Sequence, residues 1–222
     1  MSAAVARKGR FPTLSQLYSS RSGNVDLRSE RSLDTTASVS HPLGANARVE
    51  LGGSYYDVTD MIRSNGSNVT NLCLNVGNVK MAGFEAIVEV TPLPGLSLRA
   101  DCTFVDARDA SDIRVTDDVT IAPKHKAGLF ASYTVPGPKT LLDLDAVWVG
   151  SMYSSLPSVV YPTDPVKEVD GCFLLGAKVT QEVVKGVRLY VSGRNLLDED
   201  YESEAGFPGQ GRAFSFGASA TF

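Results

Sequence analysis

The chain has 222 residues and a formal net charge of −4, with a pI near 5.2; this excludes a nucleic-acid partner, which needs a concentrated Lys/Arg face that no segment supplies. Twenty glycines, only four methionines and strings of Ser, Thr, Val, Leu and Tyr suit a pleated surface better than packed helices, so the fold class is all-β. No run of about 18 apolar residues occurs, which excludes a transmembrane helix, while a mean hydropathy of −0.04 fits strands that turn every second side chain to lipid.

In chain order, the stretch Met1 to Lys8 lacks the apolar run of about 7 to 15 residues that a secretory signal needs, and a partial strand is expected before Arg10. A strand follows over about 34–42. Strict alternation then sets Ala47, Val49, Leu51, Gly53 and Tyr55 against Arg48, Glu50, Gly52 and Ser54, which places the two sets on opposite faces of one strand. After a less regular strand at about 80–91, Leu96, Leu98, Ala100, Cys102 and Phe104 oppose Ser97, Arg99, Asp101 and Thr103. Strands at about 125–135, 139–151 and 168–181 lead to Val187, Leu189 and Val191 opposing Arg188, Tyr190 and Ser192. The final segment has Phe214, Phe216, Ala218, Ala220 and Phe222 on one face and Ser215, Gly217, Ser219 and Thr221 on the other. The sum is roughly ten strands, each near the length a tilted membrane strand requires.

Connections alternate between tight and long. Leu43-Gly44-Ala45-Asn46, Leu93-Pro94-Gly95, Val135-Pro136-Gly137-Pro138 and Val184-Lys185-Gly186 carry residues that set turn geometry. The long connections run over about 58–79, 107–123, 152–167 and 196–212. Outer-membrane barrels put short turns on the periplasmic side and long loops outside. A soluble β-sandwich also alternates, but Arg99, Asp101, Asp143 and Asp145 suit a wet lumen better than a packed interior.

Chemistry-bearing residues are sparse. Cys73, Cys102 and Cys172 lie far apart without a CxxC pair, and His41 and His125 sit in separate segments, so neither a disulfide framework nor a metal site is indicated. Asp109, Asp112, Asp117 and Asp118 are the densest acidic stretch; hard cations favour such oxygens, but EF-hand spacing is missing and a solvated loop is the preferred reading. Tyr153 and Tyr161 are loop aromatics suited either to a ligand or to an interfacial girdle. No nucleophile–base pair, phosphate loop or paired carboxylate stands out, so no catalytic residue and no enzyme is indicated, and no cofactor is implied.

Several blocks carry a resemblance. Arg10-Phe11-Pro12-Thr13-Leu14-Ser15-Gln16-Leu17-Tyr18 and Leu27-Arg28-Ser29-Glu30-Arg31-Ser32 resemble the "FRAPTLSELY" and "LKPERS" stretches of TonB-dependent outer-membrane receptors, with Ser29 in place of the usual proline. Gly83-Phe84-Glu85, Pro92-Leu93-Pro94-Gly95-Leu96 and Ala122-Pro123-Lys124-His125-Lys126 are further similar blocks. The ending is the most specific: Gly193-Arg194-Asn195-Leu196-Leu197-Asp198-Glu199-Asp200-Tyr201, then Gly206-Phe207-Pro208-Gly209-Gln210-Gly211-Arg212 and a closing strand, which resembles "ENLFDKDY … GYPxPGR … F". Side chains of Asn195, Asp198, Asp200 and Tyr201 could bond nearby backbone and fix that turn, although the acids read first as a solvated face.

The resemblance implies that residues 1–222 are the C-terminal part of a barrel of 22 strands, about ten of them, in the cell outer membrane and without plug or energy-coupling segment. It implies uptake of a ferric siderophore, cobalamin or similarly bulky nutrient as part of a full receptor. The implied partners are membrane lipid, a TonB-type energy-coupling protein acting through the absent part, the ligand, and the assembly machinery, for which Phe222 is the terminal aromatic signal. The alternatives are a self-closing small porin-like barrel and a soluble β-barrel binding protein.

Overall fold

A computed structural model describes residues 1–64, 73–112, 114–120, 122–157 and 165–221. The elements are β1 (Ser2–Arg10), α1 (Leu14–Tyr18), β2 (Glu30–Pro42), β3 (Ala47–Ser64), β4 (Cys73–Leu93), β5 (Leu96–Asp109), β6 (His125–Thr134), β7 (Leu141–Val149), β8 (Met152–Ser155), β9 (Lys167–Val169), β10 (Cys172–Val184), β11 (Val187–Arg194), β12 (Glu202–Glu204), β13 (Phe207–Pro208) and β14 (Ala213–Ala220). Ten strands form one sheet in the order β1-β2-β3-β4-β5-β6-β7-β10-β11-β14, and β8-β9 and β12-β13 are two-stranded hairpins within loops. Every sheet neighbour is antiparallel. The ten strands are the ten expected from the sequence, four of them from strict alternation and the rest from less regular patterns.

Their bounds differ most in β3 and β4, which run for 18 and 21 residues and take most of the expected 58–79 connection into the ladder. Alternation of apolar and polar residues stops near Tyr55, yet pairing continues through irregularities at Val58/Met61 and Met61/Ile62, with Asp60 in the left-handed region at φ 57°. A bulge of this kind shifts the facing of every later side chain without ending the strand. The segment between Arg10 and Glu30, read from sequence only through its resemblance, is a further long connection holding the five-residue helix α1. Its Thr13 cap accepts from the Gln16 backbone N–H while the Gln16 side chain returns to the Thr13 N–H at 2.9 Å, a reciprocal capping box.

Cross-strand register sorts the side chains into two faces. One row runs Val49, Val88, Ala100, Leu129, Ala146, Leu175, each opposite the next, and Val179, Val191 and Phe216 form another. On the other face Arg48 stands opposite Glu89 and Glu89 opposite Arg99, Asp143 opposite Lys178, and Glu182 opposite Arg188. Opposite charges facing across a ladder support its register, and that face also carries the Arg48–Glu50 and Arg99–Asp101 ion pairs at 2.9 and 3.3 Å.

Among the described residues nothing covers the apolar face. Leu129 is 62%, Val191 59% and Phe216 89% exposed, and no large side chain among the described residues is fully buried. The surface of 14543 Å² exceeds the roughly 9,800 Å² of a compact monomer of this mass. A soluble sandwich or barrel would bury this face, so that alternative is excluded; a continuous apolar surface of such extent needs another apolar medium. The self-closing barrel is excluded as well, because among the described residues β1 pairs only with β2 and β14 only with β11.

The polar face has its own close packing. The ring of Tyr190 lies across Gly217 on the neighbouring strand, so that a β-carbon there would stand 2.6 Å from the Tyr190 hydroxyl, and Lys178 Nζ lies 4.7 Å from the centre of the same ring. Gly217→Val is therefore expected to push Tyr190 aside and separate β11 from β14. Leu129→Arg, at the middle of the apolar face, is expected to cost roughly 2–4 kcal/mol of folding stability in a bilayer, whereas Thr103→Lys on the polar face is not; reversible folding into lipid vesicles compares the two.

Candidate functional site

All long connections emerge at one end of the sheet and all tight turns at the other, as antiparallel neighbours require. The loop end is organised by side chains that bond backbone, and three such fastenings define it.

The first holds the segment between β1 and β2. Asn75 Nδ2 donates to the Arg28 carbonyl at 2.9 Å and to the Asp60 carbonyl at 2.7 Å, while its Oδ1 accepts from the Arg28 N–H at 2.7 Å. Asn24 Nδ2 donates to the Cys73 carbonyl at 2.9 Å, Arg28 pairs with Asp60 at 2.6 Å, and Glu30 Oε1 accepts from the Ile62 N–H at 2.7 Å. The loop is thus tied to β3 and β4 through the bulge at Asp60. None of Asn24, Asp60 or Asn75 stands out in the sequence; the available signal was the resemblance block Leu27–Ser32, which leads into β2.

The second is the acidic loop after β5. Asp109 accepts from the N–H of Ser111 at 2.9 Å and from its hydroxyl, and the buried Ser111 hydroxyl accepts from the Asn78 N–H at 3.2 Å. Asp117 pairs with Arg114, whose other nitrogen donates to the Ser111 carbonyl at 2.8 Å, and Asp118 lies 3.8 Å from Lys124. These acids are distributed among separate partners, and the described residues contain no group of three or more His, Cys, Asp or Glu arranged for a metal. The Arg114 guanidinium holds the Asp117 carboxyl below its ordinary range. Asp109 and Asp117 thus serve the loop's own hydrogen bonds and ion pairs rather than forming a purely solvated face.

The third is the last connection. Asn195 is buried and left-handed at φ 48°; its Nδ2 donates to the carbonyls of Glu199 at 2.9 Å and Gln210 at 3.1 Å, and its Oδ1 accepts from the Glu199 N–H at 2.9 Å. Asp198 accepts from the Arg212 backbone N–H at 2.9 Å and pairs with its guanidinium at 3.0 Å. The backbone N–H of Arg212 is the main cause that lowers the Asp198 pKa, with the guanidinium second. Gly209 is set against Tyr201, where a β-carbon would lie 2.2 Å from the ring. Asn195 and Asp198 bond backbone and fix this turn, so Asp198 is a structural carboxylate and not merely a solvated one, whereas Tyr201 contributes by packing its ring on Gly209 and Asp200 is exposed.

Of the loop aromatics, Tyr153 is half-buried in β8 opposite Glu168 of β9. It lines a cleft of about 280 Å³ with Lys124, His125, Trp148 and Met152. Ser154 Oγ accepts from the Ala205 N–H at 3.1 Å, joining this hairpin to the last loop. Tyr161 and Phe222 lie outside the described residues. Cys73 is buried, Cys102 exposed and Cys172 half-buried, all three as free thiols.

With this geometry in hand, the family model described as TonB dependent receptor-like, beta-barrel matches residues 2–196. The chain belongs to the TonB-dependent receptor family. The ferric-pyoverdine M114 receptor PbuA of Pseudomonas sp. (strain M114) is 26% identical over 149 residues, covering 64% of this chain and 17% of that receptor. The copper transporter OprC superposes with a TM-score of 0.83 at 17% identity over 99% of this chain and 36% of that one. The ferripyoverdine receptor of the outer membrane of Pseudomonas aeruginosa, bound to ferripyoverdine, gives 0.73 at 17% over 98% and 30%. The chain spans well under half the length of each of these proteins.

Family membership makes this sheet part of an outer-membrane barrel wall, with its apolar face toward lipid and its polar face toward the lumen. Near the loop end of the lipid face Phe84 stands opposite Phe104, the Phe104 and His125 rings are 5.1 Å apart and those of His125 and Trp148 6.4 Å, and Phe173 stands opposite Trp148. This is the aromatic girdle that such barrels place at the interface.

Two outcomes follow for the last loop. Asn195→Ala leaves the Glu199 and Gln210 backbone groups without their partner, which is expected to cost about 1–3 kcal/mol and to speed proteolysis within 196–212. Because the folded Asp198 pKa is depressed, its contribution is complete above the ordinary carboxylate pKa of about 3.9 and is lost as pH falls through the lower folded value. The loop should therefore loosen in acid in the parent and be already loosened, with less pH dependence, in Asp198→Asn; amide hydrogen exchange across 196–212 measures both.

Proposed function

We propose that this chain is the C-terminal part of the barrel wall of an outer-membrane uptake receptor, and that the intact receptor imports a ferric siderophore, cobalamin or a similarly bulky chelate. The observation that carries the reading is a wall with a charged, ordered lumen face, a lipid face with an aromatic girdle, and two unpaired edges that only further strands can satisfy. Such a wall encloses a wide lumen, and a wide lumen needs a plug to be selective. The plug, the remaining strands and the segment that engages the energy-coupling protein then come from outside these residues. In this reading the long loops face the exterior, and their fixed bases at Asn75, Ser111 and Asn195 hold the tips where a ligand arrives.

The relatives narrow the ligand class: one is a receptor for ferric pyoverdine, and solved neighbours include a copper transporter and a ferric enterobactin receptor from Pseudomonas aeruginosa. A ferric chelate is accordingly the first substrate to offer. The wall does no bond chemistry in this scheme; it orients loops, excludes lipid and presents a polar path. Phe222 is proposed as the terminal aromatic that the assembly machinery reads.

The test is uptake of radio-iron chelates and labelled cobalamin by cells whose only such receptor is the complete protein carrying this chain. Saturable uptake of one chelate that stops when the energy-coupling protein is deleted is expected. Uncoupled passage of small solutes without saturable uptake would instead make the assembly an open pore. Phe222→Ala should reduce folded receptor in the outer membrane several-fold while leaving synthesis unchanged, read by heat-modifiable mobility in gels.

A further inference from the structure

The wall is not level at its loop end. The β4–β5 ladder continues to Val79 opposite Asp109, whereas β5 holds β6 only as far as Phe104 opposite His125, and β6 holds β7 only as far as Lys126 opposite Val149. The wall therefore steps down along β5 from Asp109 to Phe104, and a cleft of about 280 Å³ lies above the step. Its floor is the stacked pair of His125 and Trp148 with Gly150. One side is the acidic loop, through Asp118 and Lys124, and the other is the β8–β9 hairpin, through Tyr153 and Glu168.

Floor and sides are all fixed in place. Asp118 forms an isolated antiparallel bridge with Arg108, and the neighbouring Asp117 carbonyl accepts from the Asp109 N–H at 2.8 Å. The hairpin is joined to the last loop through Ser154 and Ala205, and its return sits hard against β7, because a β-carbon on Gly171 would stand 2.8 Å from the Val149 carbonyl oxygen. Below them the Gly150 N–H donates to the His125 carbonyl at 2.9 Å. Tyr153 and Glu168 are directly opposite in register, so ring and carboxylate project from one face of the hairpin, and Trp148 remains 43% exposed. The charges are unequal. Asp118 lies 3.8 Å from Lys124, which matches the one lysine of the lining, whereas Glu168 is exposed and has no ion-pair partner among the described residues. The cleft thus sets an unmatched carboxylate among three aromatic rings.

We infer that this cleft binds an organic ammonium group, held against the rings of Trp148 and Tyr153 with the Glu168 carboxylate as its counter-charge. A cation is attracted to the negative face of an aromatic ring, most strongly to tryptophan, and an alkylammonium also brings carbon surface for the rings to cover. Other classes fit less well. An anion meets Glu168 without a free base to hold it. A metal ion lacks ligands, since the described residues contain no group of three or more His, Cys, Asp or Glu arranged for one. A neutral apolar molecule would strip water from the carboxylate and return nothing for it. Met152, also in the lining, supplies a flexible thioether that adapts to the shape of the guest. This gives Tyr153 a ligand role rather than a girdle role. The inference goes beyond the uptake reading and does not depend on which chelate is imported. The same chemistry is offered by a free alkylammonium ion and by an amine arm of a chelate.

The experiment uses the complete receptor in maltoside micelles, which carry no ammonium group. The probe is choline, and its control is the alcohol in which a tert-butyl group replaces the trimethylammonium. Fluorotryptophan incorporation gives Trp148 a fluorine resonance, assigned by its loss in Trp148→Phe. Choline is expected to shift that resonance saturably, while the alcohol and sodium chloride at matched ionic strength leave it in place. The Kd for choline is expected to rise roughly tenfold in Glu168→Gln and in Tyr153→Leu, and to change less than about twofold in Tyr153→Phe, which keeps the ring. Lys124→Met, which removes a competing cation and frees Asp118, is expected to tighten binding. Heat-modifiable mobility establishes that each variant is folded. An equal shift by the alcohol, no saturable shift by choline, or an unchanged Kd in both Glu168→Gln and Tyr153→Leu overturns the assignment. Once choline binding is established, inhibition of chelate uptake by choline assigns the ammonium to the chelate, and uninhibited uptake assigns it to a free cation.

Discussion

A backbone amide in hydrocarbon has no water to bond, and each unpaired group costs several kcal/mol there. The rest of the molecule follows from this. It requires every strand to be flanked on both sides, which is why the sheet proceeds neighbour by neighbour without a crossover and why β1 and β14 are the two places where the chain is unsatisfied by itself. It also requires side chains to alternate, since one face meets lipid and the other the lumen. Leu129 is exposed and Asp34 is buried, the reverse of a water-soluble domain, because the solvent of each face is different.

Ion pairs on the lumen face have a limited energetic part in this. Arg48–Glu50 and Arg99–Asp101 are solvent-exposed pairs at 2.9 and 3.3 Å, and pairs of this kind contribute little stability individually. Their effect is on specificity. A slip of one residue would bring every charge to the lipid face, and rows such as Arg48, Glu89 and Arg99 hold the register against it. Packing of Tyr190 over Gly217 does the same for β11 and β14 by shape.

The ten strands were legible because the lipid constraint writes itself into the sequence at every second position. Tight turns were legible for an equally local reason: Gly44, Gly95, Gly137 and Gly186 all adopt positive φ, and glycine is the residue that does so without strain. Legibility failed where a long-range partner determines the outcome. The upper halves of β3 and β4 lose alternation after Tyr55, since above the membrane no face must be apolar, and only the ladder between them shows that they continue. Asn75 and Asn24 look like ordinary loop residues until the structure sets them against Arg28, Asp60 and Cys73. Asn195 was legible in part, because an asparagine directly after a strand invites local backbone bonding, but its bond to Gln210 joins residues that no periodicity connects.

The two ends of the wall solve different problems. At the short-turn end the chain only has to reverse, and a glycine with its neighbours suffices. At the loop end the chain must travel some distance and come back in register, and three of the loops are fastened at the base by a side chain that replaces missing ladder bonds: Asn75 for the one between β1 and β2, Ser111 with Asp109 for the one after β5, Asn195 with Asp198 for the last. Amide and carboxylate side chains suit the task because they offer two or more bonding sites from one rigid plane. Fastening the base leaves sequence at the tip unconstrained by folding. A barrel built this way can change its loop tips without changing the wall, and the wall superposes on OprC with a TM-score of 0.83 at only 17% identity.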